Sequence, residues 1–371
     1  MNAGSSGDLG RVLVVGAGLI GTSVALALRD RGIDVYLRDR DAAAVRLAAE
    51  LGAGVPWNGE DHLDLAVLAV PPSAVPAALL DAQRADLARG YTDVASVKMQ
   101  PIAGAEALGC DLATFVGGHP LGGRERSGPA AGRADLFLGR PWALCPTPTT
   151  KSDATDAAMS LARACGAEPV VLSSEDHDRA VALVSHAPHA VASAMAAQLS
   201  DADPAALALS GQGLRDVTRI AAGDAELWTG ILAANVGPVA DVLDRIAADL
   251  VAAAAALRSA GGAEGAEGGD AEAAGIVTEL LRRGNAGRSH IPGKRGGPAP
   301  SYAIVPVVIS DRPGELARLF DAVGEAGINI EDVAIEHSPG LPVGVAELSV
   351  RPDDADELVR RLGAQGWSVH R

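Results

Sequence analysis

Apolar runs of strand length, each closed by turn residues, fill the first part of the chain. Val12 to Val15 enters a glycine turn. A helix follows with Leu19, Ile20, Val24, Leu26 and Leu28 among its apolar positions, and a second strand from Asp34 to Leu37 ends at Asp39. Further runs are "LDLAVLAVPPSAV", ending at the Pro71–Pro72 turn, "YTDVASVK", ending at Ser96 and Lys98, "TFVGGHP", ending at His119, and "PWALCPT", ending near Pro146. The pattern predicts an open α/β sheet. In such a sheet ligands lie beyond the carboxyl ends of the strands, so Ser96, Lys98 and His119 are expected to face one crevice.

From about Ser174 the period becomes helical, through Asp176–Leu199, Pro204–Gly211, Leu214–Ala222 and Glu226–Leu257. "SAGGAEGAEGGDAEAAG", Ser259 to Gly275, is small, acidic and low in complexity, and reads as a disordered loop. A short helix from Ala271 to Arg283 is expected to resume, before the basic, turn-rich "RRGNAGRSHIPGKRGGPAP", which reads as a solvated linker. The last segment reads strand, helix, strand, strand, helix, strand. Asp311 is expected to cap its first helix, with Pro313 in the first turn. The expected division is a Rossmann-type dinucleotide-binding domain over 1–173, an all-α domain over 174–290 with a loop at 259–275, a linker over 291–300, and a βαββαβ domain over 301–371.

The first βαβ unit carries specific chemistry. Gly16 allows a tight turn, Gly18 lets the backbone approach a pyrophosphate at the helix N-terminus, and Gly21 lets helix and strand pack closely. Leu19 and Ile20 open that helix. Asp39 stands where an acid holds the ribose 2′-hydroxyl of NAD. Val70 and Pro71, closing a neighbouring strand, complete the expected cofactor contacts. The plain alternative is a βαβ unit with incidental glycines. Arg38 and Arg40 flank Asp39 and suit a 2′-phosphate, so NADP stays open beside NAD.

Composition narrows the picture. The 371 residues are 48% hydrophobic but only 3% aromatic, so the core must be Ala, Val, Leu and Ile. A formal net charge of −16, with one short basic stretch, argues against a nucleic-acid partner. Cys110, Cys145 and Cys165 have no close pairing in sequence and suit free thiols in a reducing compartment. "MNAGSSGDLGR" lacks the apolar core of a signal peptide. The most apolar helical run, Leu250 to Leu257, is too short to span a bilayer. The expectation is a cytoplasmic protein with no membrane partner.

"SHAPH" places His186 and His189 three apart around Pro188. They suit metal ligands, a catalytic pair, or core residues of a helix beginning near His186. A zinc site needs a third and usually a fourth ligand, and none stands at familiar spacing, so no metal is expected.

"ASVK", "GGHPLGG", "SHAPH" and "RDVTRIA" together make the chain resemble the prephenate dehydrogenase family, from Gly16 to about Trp228. The terminal segment is similar to an ACT domain, a fold that often binds amino acids. The resemblance implies NAD-dependent oxidative decarboxylation of prephenate to 4-hydroxyphenylpyruvate, in tyrosine biosynthesis. Arogenate dehydrogenases share the motifs and form the alternative. By the same resemblance His119 accepts the ring-hydroxyl proton and Ser96 orients it. Arg219 clamps a substrate carboxylate, His189 bonds one, and Trp228 lies near the site. His186 braces the helix start with Ser185, itself a substrate-side position. Two departures stand out in "HPLGGRERSG": Gly122 replaces alanine, and Arg124 and Glu125 bring charge to the pocket mouth or to a solvated loop. Family members pair through the helical domain, which implies a homodimer. In the terminal segment Asp311, Gly314 and Asn329 match effector-contacting positions, implying an aromatic amino-acid effector. A non-catalytic NAD-binding amino-acid sensor is the contrasting reading, and Ser96, His119, His189 and Arg219 together argue against it.

Overall fold

The computed structural model describes residues 9–59, 62–123, 127–260, 267–292, 301–337 and 342–369. They form two compact units, Met1–Ala247 and Ala248–Arg371.

The first unit is built on eight strands: β1 (Arg11–Val15), β2 (Asp34–Arg38), β3 (Val55–Pro56), β4 (Leu63–Leu68), β5 (Ala88–Asp93), β6 (Phe115–Pro120), β7 (Pro141–Pro146) and β8 (Glu168–Val171). Their order is β3-β2-β1-β4-β5-β6-β7-β8. β1 to β6 run parallel; β7 pairs antiparallel with β6 and parallel with β8. Helices α1 (Leu19–Arg29), α2 (Ala42–Glu50), α3 (Val75–Arg84), α4 (Met99–Ala107) and α5 (Ser152–Ala164) cross between strands. Successive strand side chains point to opposite faces. Val12 and Val14 therefore pack with Val24, Leu28 and Leu161, while Leu13 packs with Leu79 and Ala105. Both faces are buried, as the uninterrupted apolar runs require. The order reverses between β1 and β4, and the crevice opens over their carboxyl ends.

The remainder of this unit is helical: α6 (Ser174–Val181), α7 (Ala187–Ala197), α8 (Pro204–Ala208), α9 (Gln212–Thr218), α10 (Ala225–Ala234) and the start of α11 (Val236–Ala260). Two expectations are revised here. The α-helix expected near His186 does begin there, as α7 with His186 at its N-cap, but it continues a longer helical run. That run starts at the Ser173 cap, whose Oγ accepts the Asp176 N–H at 3.0 Å. It then passes through one π-helical turn, Ala182–His186, into α7. That wide turn carries the chain past Pro188, which donates no backbone hydrogen bond and would clash within an unbroken α-helix. The second correction concerns Glu226–Leu257, which is not one helix. It breaks at Asn235 (φ −131°, ψ 43°), just ahead of Gly237 and of Pro238, whose nitrogen cannot continue the ladder. The span Ser174–Ala197 is also long and apolar enough to cross a membrane by length and composition, which the run at Leu250 did not suggest. Its His177, Asp178, His186 and His189 are all buried within the unit.

In the second unit the low-complexity stretch is not a loop throughout. α12 runs Glu267–Ser289, replacing the expected Ala271–Arg283 and taking in part of the expected linker. Alanine, glutamate, leucine and arginine are strong helix formers, and Arg283 pairs with Asp249 on α11 at 2.7 Å. Residues 261–266 and 293–300 lie outside the described residues. β9 (Ala303–Ser310), α13 (Glu315–Glu325), β10 (Asp332–His337), β11 (Val343–Val350), α14 (Pro352–Ala364) and β12 (Ser368–Val369) give the expected βαββαβ sequence. The antiparallel sheet has the order β10-β11-β9-β12. Val305, Val307 and Ile309 alternate onto Leu319, Val323, Leu358 and Leu362. Asp311 does not cap α13 and Pro313 lies before it. The N-cap is Gly314 at φ +91°, a left-handed conformation that excludes it from the helix, so the cap lies three residues beyond Asp311.

Candidate active site

The glycine turn is set by close approach. A Cβ on Gly16 (φ +109°) would lie 2.1 Å from the Ala69 carbonyl oxygen beyond β4, and one on Gly21 would lie 1.9 Å from the Gly16 oxygen. Gly18 differs: nothing stands within 4 Å of its missing Cβ, and it is the N-cap of α1 with no side chain serving the cap. The open space therefore sits against the first N–H groups of α1, at Leu19 and Ile20, a setting suited to a pyrophosphate. Asp39 ties β2 to this turn, accepting the Ala17 N–H at 2.6 Å and the Asp41 N–H at 2.8 Å. Arg38 stacks over Trp57, 5.3 Å from the ring centre. Val70 and Pro71 follow β4 on the same rim. These residues fit a nicotinamide dinucleotide.

Two strands along, β5 and β6 end in a buried polar cluster. Lys98 does not face the crevice as expected. It is fully buried, paired with Asp93 and donating to the Gly118 carbonyl. Asp93 also accepts the Gly118 N–H at 2.9 Å and the Ala95 N–H at 3.0 Å. This cluster pins the loop holding half-buried Ser96 against the strand holding His119. His119 Nδ1 lies 2.9 Å from His177 Nε2, and His177 Nδ1 lies 2.7 Å from Asp178 Oδ1. Asp178 further accepts the Lys98 N–H at 2.8 Å and the Met99 N–H at 2.9 Å. Burial holds the His119 pKa well below the usual histidine value of 6.5, with His177, Lys98 and His186 adding to the effect. His119 is therefore neutral at physiological pH, with a lone pair on one ring nitrogen.

α7 and the elements packed on it carry the remaining residues. His186 is braced not by Ser185 but by Asn235, whose Nδ2 lies 3.2 Å from His186 Nδ1 and donates to the Asp178 carbonyl at 2.8 Å. Burial pushes the His186 pKa down to about 4; Asp178 opposes the shift and His177 adds to it. His189 stacks on Trp228, ring centres 3.6 Å apart and planes 9° apart. Burial lowers the His189 pKa as well. Trp228 also meets His186 edge-on at 6.4 Å. Gly223 closes against this stack: a Cβ there would lie 2.5 Å from Trp228 Nε1 and 2.8 Å from His189 Cε1. It ends the short 3₁₀ turn that begins at Arg219. Arg219 is exposed and forms no ion pair among the described residues. Ser185 sits half-buried in the π-helical turn. No cluster suited to a metal ion occurs among the described residues.

His177, Asp178, Asn235 and Asp93 were missed by sequence reasoning. The available signal was a histidine and an aspartate interrupting the apolar face of "DHDRAVALVSHAPH". Arg124 and Glu125 lie outside the described residues. Gly122 is in place, and an added Cβ would meet Arg140, Leu136 and Phe137 at 3.3 Å, so the alanine usual in the family would need its neighbours to give way.

A dinucleotide turn after β1 at a sheet reversal, with a neutral, half-buried histidine three strands along on β6, defines a nicotinamide-dependent dehydrogenase. Residues 24–171 match the model of the prephenate dehydrogenase nucleotide-binding domain, and residues 173–266 that of the prephenate dehydrogenase dimerization domain. The chain belongs to the prephenate dehydrogenase family and is an NAD-dependent oxidoreductase. It is 44% identical over 360 residues to a probable prephenate dehydrogenase, NovF, of Streptomyces niveus, covering 96% of this chain and 99% of that protein. It is 26% identical over 358 residues to the prephenate dehydrogenase of Bacillus subtilis, covering 92% of each. Among solved structures, it resembles Aquifex aeolicus prephenate dehydrogenase in complex with hydroxyphenyl propionate and NAD+ (TM-score 0.65, 26% identity, 76% of this chain and 99% of that one). It also resembles Synechocystis arogenate dehydrogenase (TM-score 0.61, 25% identity, 75% and 98%).

Proposed function

We propose that this enzyme oxidatively decarboxylates prephenate to 4-hydroxyphenylpyruvate, with His119 as the base. The observation that carries this reading is the neutral, half-buried His119 at the end of β6, on the rim that also holds the loop with Ser96 and the dinucleotide turn. When bound, NAD supplies the acceptor for the hydride leaving the carbinol carbon. As that bond breaks, His119 takes the hydroxyl proton and Ser96 orients the hydroxyl. The ring carboxylate leaves as carbon dioxide, its bonding pair completes the aromatic ring, and His119 returns the proton to the phenolic oxygen. No proton is released overall, so the base needs no path to solvent. Arg219 holds a substrate carboxylate with two hydrogen bonds. His189, Ser185 and Trp228 line the side-chain end of the substrate. Asp39 holds the cofactor ribose, with Gly16, Gly18, Leu19, Ile20, Gly21, Val70 and Pro71 around it.

The finer organisation belongs to the same reading. The domains part as 1–173, 174–290 and an ACT-like 301–371. The enzyme is a homodimer paired through the helical region, supported by the dimerization-domain match and by exposed Leu209, Leu227, Val251 and Leu257. It works in the cytoplasm, in keeping with its free cysteines Cys110, Cys145 and Cys165. The ACT-like domain binds an aromatic amino acid, tyrosine first, at Asp311, Gly314 and Asn329. Gly314 supports this with an open left-handed turn at the N-terminus of α13. Asn329 Nδ2 already donates to Glu331 at 2.8 Å, so an effector must share or replace that bond. The likeness to an arogenate dehydrogenase favours arogenate as the second reading. Assaying the full-length protein with prephenate and arogenate, each with NAD and NADP and with or without tyrosine, separates these readings. Fastest turnover with prephenate and NAD, slowed by tyrosine, is expected; preferred use of arogenate would reassign the substrate.

A further inference from the structure

The ring protons of His119 and the buried His177 have one consistent arrangement in the neutral state. The Asp178 carboxylate receives the Lys98 and Met99 N–H groups. Toward His177 it serves as an acceptor again, so His177 Nδ1 carries the hydrogen pointing at Asp178 Oδ1. A neutral imidazole has one donor and one acceptor nitrogen. His177 Nε2 is then a lone pair, and His119 Nδ1, 2.9 Å away, must donate to it. The only lone pair left on the pair is on His119 Nε2.

We propose that His177, anchored by Asp178, is the positioning residue that fixes His119 with its proton on Nδ1 and its lone pair on Nε2, directed at the substrate hydroxyl. This rests on the reading of His119 as the base. The geometry has the logic of an acid holding a catalytic histidine in one tautomer, with a second imidazole between acid and base. The charged and titratable groups facing His119 are His177, Lys98 and His186. Lys98 is neutralised by Asp93, and His186 is held by Asn235. Neither Lys98 nor His186 offers His119 Nδ1 an acceptor; His177 does. A second proton on the pair would protonate Nε2 or reverse the hydrogen bond, and either change removes the lone pair that the reaction uses.

Two measurements test this on the full-length enzyme. Long-range proton–nitrogen correlation of histidine-labelled protein at neutral pH, with His119→Asn identifying the resonance, should show His119 protonated on Nδ1 and bare on Nε2. A proton on Nε2 would overturn the proposal, whether or not the enzyme turns over prephenate. The second measurement compares two variants. In His177→Gln the amide oxygen still accepts from His119 Nδ1, so kcat should stay within about tenfold of wild type. In His177→Met that acceptor is gone, and kcat should fall by ~10²–10⁴, the range that the wrong tautomer costs, with KM little changed. Equal kcat in the two folded variants would show a packing role only. If the methionine variant fails to fold, the resonance of the wild-type protein decides. If wild type and His119→Asn turn over prephenate equally, the base reading fails instead, and the tautomer result stands by itself.

Discussion

The two halves of the site are built in opposite ways. Behind the half-buried His119 the polar side chains are buried and chained, from Lys98 and Asp93 through His177 to Asp178. Around Arg219 the surroundings are open: a single turn, one stacked pair in His189 and Trp228, and a guanidinium facing solvent. The contrast fits the tasks proposed for His119 and Arg219. Proton transfer needs one ring held in one orientation at low dielectric. Carboxylate capture needs a charge that stays hydrated until the substrate arrives, because a buried unpaired guanidinium would be costly. Damage to the closed half should therefore appear in kcat, and damage to the open half in KM.

Four perturbations sharpen or break that contrast, the largest first. His119→Asn should lower kcat by ~10²–10⁴ while NAD affinity, measured by calorimetry, stays at the wild-type value. A matching rise in KM with kcat intact would move His119 into the binding half. Arg219→Ala should raise the KM for prephenate by roughly ten- to a hundredfold, the value of a charge-assisted hydrogen bond at about 1.5–3 kcal/mol, and leave kcat near wild type. Asp39→Asn should weaken the preference for NAD over NADP by roughly tenfold, since the charge that repels a 2′-phosphate is gone; the ratio of kcat/KM for the two cofactors reads this directly. The smallest effect is on stability. His186 has its pKa lowered from 6.5 to about 4 in the folded chain, so the unfolded chain binds its proton first. Stability from this group is complete above pH 6.5 and is lost as pH falls toward 4. His119 shifts in the same direction. The melting temperature should be level above pH 6.5 and decline below it, and His186→Gln should flatten part of that decline.

What was legible in the sequence follows the distance over which each feature is encoded. The dinucleotide turn lies within one βαβ unit, and Gly16, Gly21 and Asp39 sit where their spacing places them. The βαββαβ order at the C-terminus is equally local, because each strand alternates onto its own small core. The histidine chain was not legible. His119 and His177 are 58 residues apart, and the Lys98 N–H meets Asp178 across 80. Composition also misled in two places. Glycine and acidic residues at 259–275 suggested a loop, but alanine and glutamate carry α12 through much of it. Continuous apolar periodicity hid the break at Asn235, although Pro238 marked it, and that break is what turns Asn235 toward His186 and Asp178.

Oxidation and decarboxylation form one coupled reaction in this enzyme. The direct measurement is stoichiometry: the full-length enzyme, prephenate and NAD, with NADH, carbon dioxide and 4-hydroxyphenylpyruvate quantified from the same mixture. Equal amounts of all three, rising together and falling together in His119→Asn, are the predicted result. NADH formed without carbon dioxide, or carbon dioxide without NADH, would contradict it.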